Sequence, residues 1–354
     1  MYPALAVFDA LERRVQERVI WVGSSKGLER DIVTSFGIPY KAIPVGKLRR
    51  YFSLQNVADL FRVLAGICVA LWFLHTHQVA LVFSKGGFVA VPSVIAAGLR
   101  KIPVVIHESD DDPGLATRLC APFAQVICVA RQEVVAAIPE NHRERVIVTG
   151  NPIRRAFHTA DPAQALPSLG LADEGLPVVL VTGGSQGAEQ LNQIVEAILP
   201  MLTERAVVIH QCGSWDDSKI HHVSNAVPPG RYYAAPSFGE EFPMLMRRAD
   251  IVIARAGAGT LGELSATGTA AILIPLSMSA SRGDQLRNAA AYGAAGAAEV
   301  LDPDTVTAEH VAERVLFLLD DSSIRNQLAA RARSYAPPDA AARIATILRQ
   351  AVES

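Results

Sequence analysis

The stretch VVLVTGGSQGAEQLNQIVEAIL, residues 178–199, indicates the fold class. Apolar, mostly β-branched residues at 178–181 are typical of a buried strand, and a helical pattern begins after the glycines. The glycines are Gly183, Gly184 and Gly187. Such a turn exposes backbone N–H groups at a helix start and can bind a phosphate, with Ser185 adding a hydroxyl. A tight turn that needs glycine for its positive φ is the alternative.

Apolar runs alternate with helical patterns on both sides of this stretch. We predict strands at 19–22, 79–83, 103–106, 126–129 and 146–148 before it, and at 207–209, 231–234, 251–254 and 271–274 after it. Helices from about residue 308 to residue 352 close the chain. This alternation predicts doubly wound α/β architecture with parallel sheets.

Composition limits the class of protein. The chain has 354 residues, 50% of them hydrophobic, so it is long enough for two domains with sizeable cores. Its formal net charge of −2 does not favour nucleic-acid binding. Residues 151–176 collect proline, glycine and charge, which predicts a linker. We expect domains at 1–150 and 177–335, and a C-terminal helix at 336–354 that could pack back on the first domain.

Cysteines and apolar runs bear on where the protein works. The cysteines are Cys68, Cys120, Cys128 and Cys212. They lack metal-binding or redox spacing, so we expect buried apolar residues in a reducing cytosol. Met1 leads straight into a helical pattern, so we expect no signal peptide. The most apolar stretch, 63–74, has 12 residues, fewer than the roughly 20 that a spanning helix needs, so we expect no transmembrane helix.

A second strand–glycine–helix turn lies in IVIARAGAGTLGELSATG, residues 251–268. Gly257 and Gly259 follow the strand. Thr260 and Glu263 have the spacing of a capping box, which satisfies the first N–H groups of a helix without a ligand, and we favour this structural role. A carboxylate at a crevice between strand ends can also accept both hydroxyls of a ribose, and Glu263 could do both.

The first half of the chain carries two further polar turns. Gly86 and Gly87 follow one apolar run, in SKGGFVAVPSVIAA, and His107 and Glu108 follow another, in IPVVIHESDDDPGLATR. Asp112, which precedes a proline, is predicted to be a helix N-cap. His107 and Glu108 are candidates for a cleft, although a His–Glu pair is more often structural.

Six motifs, in this order, resemble the MurG family of glycosyltransferases: SKGGFVAVP, HESDDDPGLATR, TGNPIR, GGSQGAEQLN, ARAGAGTLGEL and RGDQLRNAAAYGAAGAA. The resemblance runs from Pro3 to about Leu348. It implies a GT-B fold, in which two doubly wound Rossmann-like domains face a central cleft. It also implies inverting transfer of N-acetylglucosamine from UDP-N-acetylglucosamine to undecaprenyl-pyrophosphoryl-N-acetylmuramoyl-pentapeptide, at the cytoplasmic face of the cell membrane by a peripheral protein.

The resemblance implies roles for single residues. The donor-binding residues would be Arg154, Ser185, Phe238, Gly239, Ala258, Gly259, Thr260, Glu263 and Gln285. Among them, Glu263 would bind the ribose, Gln285 the donor sugar, and the backbone at 238–239 the uracil. Phosphate loops would include Gly86, Gly87, Gly183, Gly184, Gly187 and Gly257. Asp110 stands where many members have asparagine, so its donor contact stays open.

The chain departs from the family at its start. Family members have a strand and a GGTGGH loop immediately before the residues that match YPALA. We expect a start assigned too late inside the gene, because a doubly wound sheet without its first strand leaves backbone groups unpaired. A truncated chain is the alternative. The loop His is the family candidate for the catalytic base, so the base stays unassigned, with His107 and Glu108 as candidates inside this chain.

Positive charge and aromatic residues cluster in one part of the first domain. Between Lys41 and Arg62 there are five basic residues and one acid. The residues expected to contact an anionic membrane are Lys47, Arg49, Arg50, Tyr51 and Phe52. In the helix that follows, we expect Leu60, Leu64 and Ile67 to pack on the sheet.

The resemblance requires no cofactor, although a divalent metal could assist, and no metal site is predicted. The expected partners are UDP-N-acetylglucosamine, the undecaprenyl-linked muramoyl-pentapeptide, the anionic inner membrane surface and other cell-wall synthesis proteins, with no nucleic acid. Two alternatives stay open. One is another GT-B enzyme, such as a glycolipid glycosyltransferase or a sugar-nucleotide epimerase, and the other is an inactive donor-binding scaffold.

Overall fold

The structure is a computed structural model that describes residues 1–25, 29–46, 54–110, 112–184, 188–280, 283–337 and 339–353. The chain divides into two compact units. Unit 1 is Met1–Arg154 together with Pro338–Ser354, and unit 2 is Arg155–Pro337. Every strand pair in both units is parallel, and helices connect the strands. The predicted doubly wound α/β architecture is therefore confirmed.

Unit 1 begins with a helix. Its strands are β1 (Trp21–Gly23), β2 (Tyr40–Ala42), β3 (Val82–Ser84), β4 (Val104–Glu108), β5 (Val126–Val129) and β6 (Val146–Val148). Its helices up to the boundary are α1 (Tyr2–Asp9), α2 (Arg13–Gln16), α3 (Glu29–Ser35), α4 (Leu54–Thr76), α5 (Val91–Leu99), α6 (Leu115–Cys120) and α7 (Gln132–Ala137).

The strands of unit 1 form two sheets within the described residues. β1 pairs with β2, with Trp21 opposite Tyr40. The other sheet has the order β3-β4-β5-β6. One aliphatic core includes Val94 and Ala97 of α5 and Ile106 of β4. The expectation that a strand precedes Met1 stays a prediction.

Unit 2 repeats the strand–helix alternation. Its strands are β7 (Val178–Thr182), β8 (Val207–Gln211), β9 (Tyr232–Ala235), β10 (Ile251–Ala254), β11 (Ala270–Leu273) and β12 (Glu299–Val300). Its helices are α8 (Ala156–Thr159), α9 (Glu189–Thr203), α10 (Asp217–Ser224), α11 (Phe242–Arg248), α12 (Ala258–Thr267), α13 (Asp284–Ala294), α14 (Ala308–Asp320) and α15 (Ser322–Tyr335).

The strands of unit 2 form one sheet in the order β12-β11-β10-β7-β8-β9. The first strand, β7, therefore lies in the centre, and the strand order reverses between β7 and β10. Such a switch point leaves a crevice outside the carboxyl ends of the strands, where ligands of α/β domains bind. Both β7 and β10 are buried along their whole length, which explains their continuous apolar runs.

The last helix, α16 (Ala340–Glu353), belongs to unit 1. Its Ile344 and Leu348 pack in one apolar cluster with Val7 of α1 and Val105 of β4. The end of the chain thus completes the core of the unit in which the chain begins.

The stretch 151–176, expected to be a linker, is divided between the units. The chain passes from unit 1 to unit 2 between Arg154 and Arg155. Beyond that point, Phe157 and Leu166 are fully buried, so this stretch is packed into unit 2. Its proline and glycine content reflects short helical turns rather than an extended connection.

The predicted strands agree with the observed ones to within three residues, and those at 126–129, 146–148 and 251–254 have the observed bounds. Two short strands were not predicted. β2 has three residues and is flanked by Pro39 and Pro44, and β12 has two residues. Neither is long enough to show an apolar run.

Helix α4 contains the most apolar stretch of the sequence. It has 23 residues, and its window Asp59–Thr76 is long and apolar enough, by length and composition, to cross a membrane; a third of that window is buried. Val63, Ala70 and Phe73 pack into unit 1.

The expectation that Leu60 and Leu64 pack on the sheet is wrong, because they are 50% and 49% exposed. Ile67 does pack against the core. Cys68 is exposed too, whereas the other three cysteines are buried as expected. Because apolar residues occur all round this helix, its sequence could not indicate which side faces the sheet.

Candidate active site

Side chains at strand ends hold the first glycine turn of unit 2. The Thr182 hydroxyl, at the end of β7, donates to Gln211 Oε1 at the end of β8 (2.8 Å). The N–H of Gly184 donates to the same hydroxyl (3.2 Å), and Gly184 has a φ of +84°, which favours glycine. Ser185 and Gly187 lie outside the described residues. The turn is therefore fixed on its strand side.

Helix α9 begins directly after this turn. Its N-cap, Ala188, makes no side-chain cap hydrogen bond. The first N–H groups of a helix lack intrahelical partners and carry the positive end of the helix dipole. The start of α9 can therefore receive an anionic ligand.

The helix after β10 begins earlier than the capping-box hypothesis requires. α12 starts at Ala258, and its N-cap is Gly257, which has no side-chain cap. A capping box would need Thr260 at the N-cap, whereas Thr260 is the third residue of the helix. The capping-box expectation is therefore wrong, and Glu263 lies on the second turn, half-buried. Because Gly257 is the N-cap, the helix begins before Thr260, and Thr260 lies inside it.

The two glycine turns of unit 2 are neighbours. β10 pairs with β7, and Ala254 lies opposite Thr182 at the carboxyl ends of the two strands. Two helix starts without side-chain caps, those of α9 and α12, therefore follow adjacent strand ends. This arrangement suits a ligand with two neighbouring negative charges, such as a diphosphate.

Arg255 and Asn288 support the second turn, and sequence reasoning missed both. Arg255 is buried, and its Nη1 donates to the carbonyls of Ile274 and Pro275 (both 2.9 Å). Asn288 donates to the carbonyl of Ala256 (3.1 Å). The Arg255 bonds tie the end of β10 to the loop after β11, and the Asn288 bond ties the turn after β10 to α13. The signal in the sequence was a charged residue directly after a fully apolar strand.

Gln285 on α13 has a defined orientation. Its Oε1 accepts the N–H of Leu276 (3.0 Å), so its amide NH₂ is the group that can donate to a ligand. After β9, the half-buried ring of Phe238 stacks on Phe242 with ring centroids 6.4 Å apart, and Gly239 is exposed. These residues all follow the carboxyl ends of strands in the same sheet.

In unit 1, the loop after β3 contains a lysine that sequence reasoning did not single out. Gly86 and Gly87 both have a φ of +84°, and the N–H of Gly86 donates to Ser84 Oγ (3.1 Å). Lys85 Nζ donates to Ser109 Oγ, and that hydroxyl donates to Asn151 Oδ1 (3.1 Å). Burial lowers the pKa of Lys85 to about 8, against the opposite effect of Glu108 and Asp110. A lysine between a strand and two glycines was the available signal.

Glu108 organises the turn after β4. Its carboxylate accepts the N–H groups of Ser109 (2.8 Å), Asp110 (3.1 Å) and Gly114 (3.2 Å). It also accepts the hydroxyl of Thr117 (2.6 Å). With four donors on two oxygens, this buried carboxylate is engaged in holding the backbone. The geometry does not favour Glu108 as a catalytic base.

His107 is fully buried on β4, and its Nε2 lies 2.8 Å from the carbonyl oxygen of Gly150. Burial, and then the charge of Lys85, lowers the pKa of His107 well below its usual range. The neutral ring therefore donates its Nε2–H to Gly150. This contact ties β4 to the segment after β6 and does not favour a catalytic role.

The predicted N-cap at Asp112 is wrong. Helix α6 has Gly114 as its N-cap, and Asp112 forms an ion pair with Arg118 instead (3.1 Å). Glu108 accepts the N–H of Gly114, the N-cap residue itself, so a carboxylate from the preceding strand holds the start of this helix.

Two other sets of predicted residues are not part of the described unit 2 turns. Arg154 belongs to unit 1, where its guanidinium lies 5.0 Å from the ring centre of Tyr2. The predicted membrane residues Lys47 to Phe52 lie outside the described residues.

Within the part of the chain that the structure describes, no group of three or more His, Cys, Asp or Glu residues is arranged to hold a metal. Unit 2 contains one Asp-x-Asp triplet, formed by Asp302, Pro303 and Asp304. The Asp302 carboxylate accepts the Asp304 N–H (3.0 Å), which is a local turn.

Comparison with family models identifies both halves of the chain. Residues 1–129 match the glycosyltransferase family 28 N-terminal domain, and residues 178–344 match the glycosyltransferase family 28 C-terminal domain.

Curated relatives share most of the sequence. One, from Treponema denticola, is named UDP-N-acetylglucosamine–N-acetylmuramyl-(pentapeptide) pyrophosphoryl-undecaprenol N-acetylglucosamine transferase. It is 39% identical over an alignment of 319 residues, with 85% of this chain and 80% of the relative covered. A relative with the same name from Lachnoclostridium phytofermentans is 40% identical over 321 residues, covering 90% of this chain and 87% of the relative.

Solved structures share the fold. MurG of Acinetobacter baumannii matches with a TM-score of 0.72 at 25% identity, covering 99% of this chain and 95% of that chain. The UDP-GlcNAc 2-epimerase of Neisseria meningitidis matches with a TM-score of 0.67 at 15% identity, covering 99% and 96%, and so shares the fold alone. The predicted GT-B class, with two Rossmann-like domains, is confirmed.

Proposed function

Because the chain belongs to the MurG family within glycosyltransferase family 28, we propose that it transfers N-acetylglucosamine from UDP-N-acetylglucosamine to undecaprenyl-pyrophosphoryl-N-acetylmuramoyl-pentapeptide. The product is lipid II, the lipid-linked disaccharide of peptidoglycan. The observation that carries this proposal is the pair of helix starts without side-chain caps, α9 and α12, which follow the adjacent strands β7 and β10. They suit the diphosphate of a nucleotide sugar.

The donor occupies the carboxyl edge of the unit 2 sheet. Its diphosphate lies at the starts of α9 and α12, with the Ser185 hydroxyl as a further contact. Glu263 binds the ribose, the amide of Gln285 donates to the sugar, and the backbone at 238–239 meets the uracil. The orientation of Gln285 supports its role, since Leu276 already occupies its oxygen.

The reaction is a direct displacement with inversion. The 4-hydroxyl oxygen of the acceptor sugar forms a bond with the anomeric carbon of the donor as the bond from that carbon to the β-phosphate oxygen breaks. UDP leaves with the electron pair, and the helix starts stabilise its growing negative charge. The hydroxyl proton passes to a base that we assign to neither His107 nor Glu108.

The acceptor binds at the carboxyl edge of unit 1. Gly86 and Gly87 present backbone to this edge, and Lys85 supplies a positive charge beside them. The acceptor carries a pyrophosphate, so a lysine next to a glycine turn is suited to it.

Helix α4 attaches the protein to the anionic cytoplasmic face of the cell membrane. Its exposed apolar residues are Leu60, Phe61, Leu64 and Trp72, between 49% and 67% exposed. They follow the basic and aromatic residues Lys47, Arg49, Arg50, Tyr51 and Phe52 in the chain. An apolar helix face beside basic residues is typical of reversible, peripheral attachment. Other cell-wall synthesis proteins meet the enzyme at this surface.

The reaction requires no cofactor. Release of UDP in the presence of EDTA, compared with release in added Mg²⁺, tests whether a divalent ion assists.

The central test is an assay of UDP release by the purified chain with three acceptors: the muramoyl-pentapeptide lipid, diacylglycerol, and none. Release that requires the muramoyl lipid, with formation of the disaccharide, supports the proposal. Release with diacylglycerol indicates another glycolipid glycosyltransferase, and acceptor-independent release indicates an epimerase or hydrolase. Binding of UDP-N-acetylglucosamine without turnover indicates a scaffold.

A further inference from the structure

Unit 2 contains a buried polar network that the proposed reaction does not use. His210 of β8, Asn192 of α9 and Tyr232 of β9 are each buried by more than nine-tenths. His210 Nε2 lies 3.0 Å from Asn192 Oδ1, and His210 Nδ1 lies 2.9 Å from the Tyr232 hydroxyl. Asn192 Nδ2 donates to the carbonyl of Cys212 (2.8 Å).

The hydrogen bonds define the tautomer of His210. Burial lowers its pKa to about 4, so the ring is neutral at physiological pH. Asn192 uses its NH₂ group on Cys212, and its oxygen can only accept. His210 therefore carries its proton on Nε2 and donates to Asn192, while its Nδ1 accepts from Tyr232. Each polar group in the network has a partner.

This network holds the start of α9. Asn192 is the fourth residue of the helix, within its first turn. Leu191, Ile198 and Leu202 pack α9 into the core through apolar contacts, and the hydrogen bonds of Asn192 add directional contacts in its first turn.

The residue next to His210 holds the other side of the same turn. Gln211 accepts from Thr182, whose hydroxyl accepts from Gly184. Side chains of consecutive strand residues point to opposite faces of a sheet. Residues 210 and 211 of β8 therefore contact the helix after the turn and the strand before it, respectively. His210 holds the helix flank, and Gln211 holds the strand flank.

We infer that His210 is a positioning residue, which orients the start of α9, through Asn192, toward the diphosphate of the nucleotide donor. This inference rests on the proposed function, because it needs a nucleotide diphosphate at that helix start. It concerns binding of the donor and leaves the acceptor contacts unaffected.

The test measures the Kd for UDP by calorimetry on the full chain, together with kcat and both KM values for UDP release. His210→Leu removes the donor to Asn192 and should raise the Kd for UDP and the donor KM about tenfold, with the acceptor KM unchanged. His210→Gln restores an N–H near the same place and should bring the Kd back to within about twofold of wild type. Tyr232→Phe should give an intermediate rise and serves if His210→Leu does not fold.

Thr203→Val is the matched control, because Thr203 is equally buried at the other end of α9 and bonds only within that helix. It should lower the melting temperature and leave the Kd for UDP unchanged. If His210→Leu behaves like Thr203→Val, or if His210→Gln does not restore binding, the positioning role is refuted. If the wild-type chain itself binds no UDP, the proposed function fails instead.

Discussion

Unit 1 has a glutamate at the end of β4 and unit 2 has one in the helix that follows β10, but the two glutamates have different surroundings. In unit 1, Glu108 is buried and accepts four hydrogen bonds from the turn that follows it. In unit 2, Glu263 is half-buried on the second turn of α12, and the helix start is formed by glycine without a side-chain cap.

The sheets of the two units also differ in how their strands are joined. The described strands of unit 2 form one continuous sheet, with two glycine turns after adjacent central strands. The described strands of unit 1 form two sheets, and its turns are tied by charged or polar side chains, those of Lys85, His107 and Glu108. The comparison teaches that polar side chains hold the glycine turns of both units, but that only in unit 2 do two such turns follow adjacent strands at the centre of one described sheet.

The largest expected effect is loss of the carboxylate in unit 1. Glu108→Gln replaces one acceptor oxygen with an NH₂ group that faces backbone N–H groups. We expect the free energy of unfolding of unit 1 to fall by about 3 kcal/mol, measured by urea denaturation. Asp112→Asn removes a nearby carboxylate in an exposed ion pair and should cost less than about 0.5 kcal/mol. Equal effects of the two changes would contradict the role of Glu108 as the acceptor that holds the turn after β4.

The second expected effect concerns the exposed face of α4. Phe61→Ser combined with Trp72→Ser should weaken binding to vesicles of anionic phospholipid by about 2 kcal/mol, or about thirtyfold, because both side chains lose apolar contact with lipid. Phe317→Ser, which changes an exposed aromatic residue of unit 2, is the control.

Replacing Lys47, Arg49 and Arg50 with Gln should also lower vesicle binding without changing affinity for UDP-N-acetylglucosamine. If vesicle binding survives both sets of changes, the membrane-binding surface lies elsewhere.

The third prediction tests the glutamate of unit 2. Glu263→Ala should weaken binding of UDP-N-acetylglucosamine about tenfold, because the ribose hydroxyls lose a charged acceptor. The melting temperature should change little, since Glu263 caps no helix. Glu309→Ala, an exposed glutamate in the first turn of α14, should leave donor affinity unchanged. A fall in melting temperature without a change in affinity would restore a structural role for Glu263.

The smallest expected effect is a pH dependence at Lys85. Its pKa is about 8 in the folded chain and near 10.5 when unfolded, so the unfolded chain binds more protons between these values. The free energy of unfolding therefore rises with pH over this window, because the amine of the folded chain is neutral there. Below pH 8 that amine is charged, and the folded chain bears the full cost of desolvating it. Lys85→Met removes this dependence.

The stability advantage of Lys85→Met over wild type should shrink by about 1 kcal/mol between about pH 8 and about pH 9, measured by urea denaturation. The exposed Lys101→Met variant supplies the baseline. A difference that stays constant across this range would show that Lys85 is not desolvated.

The sequence predicted the strand–glycine–helix turns at 183–187 and 257–259 because glycine and apolar runs report local backbone requirements. It misassigned Asp112 and the Thr260–Glu263 pair because several nearby residues satisfied the same capping rule. The choice depended on where each helix starts, and for α6 a carboxylate from the preceding strand decided it. Lys85 and Arg255 were passed over because nothing local distinguishes a half-buried or buried cation from a surface one.

The sequence by itself determined the two-domain parallel α/β architecture, the glycine turns and the family. Periodicity and glycine placement depend on residues a few positions apart. Only the tertiary structure decided which face of α4 is exposed, that Glu108 and His107 are occupied by backbone groups, and that α16 completes unit 1. The physical reason is that burial and hydrogen-bond partners are set by segments distant in the chain, such as Gly150 for His107 and Val7 for Ile344.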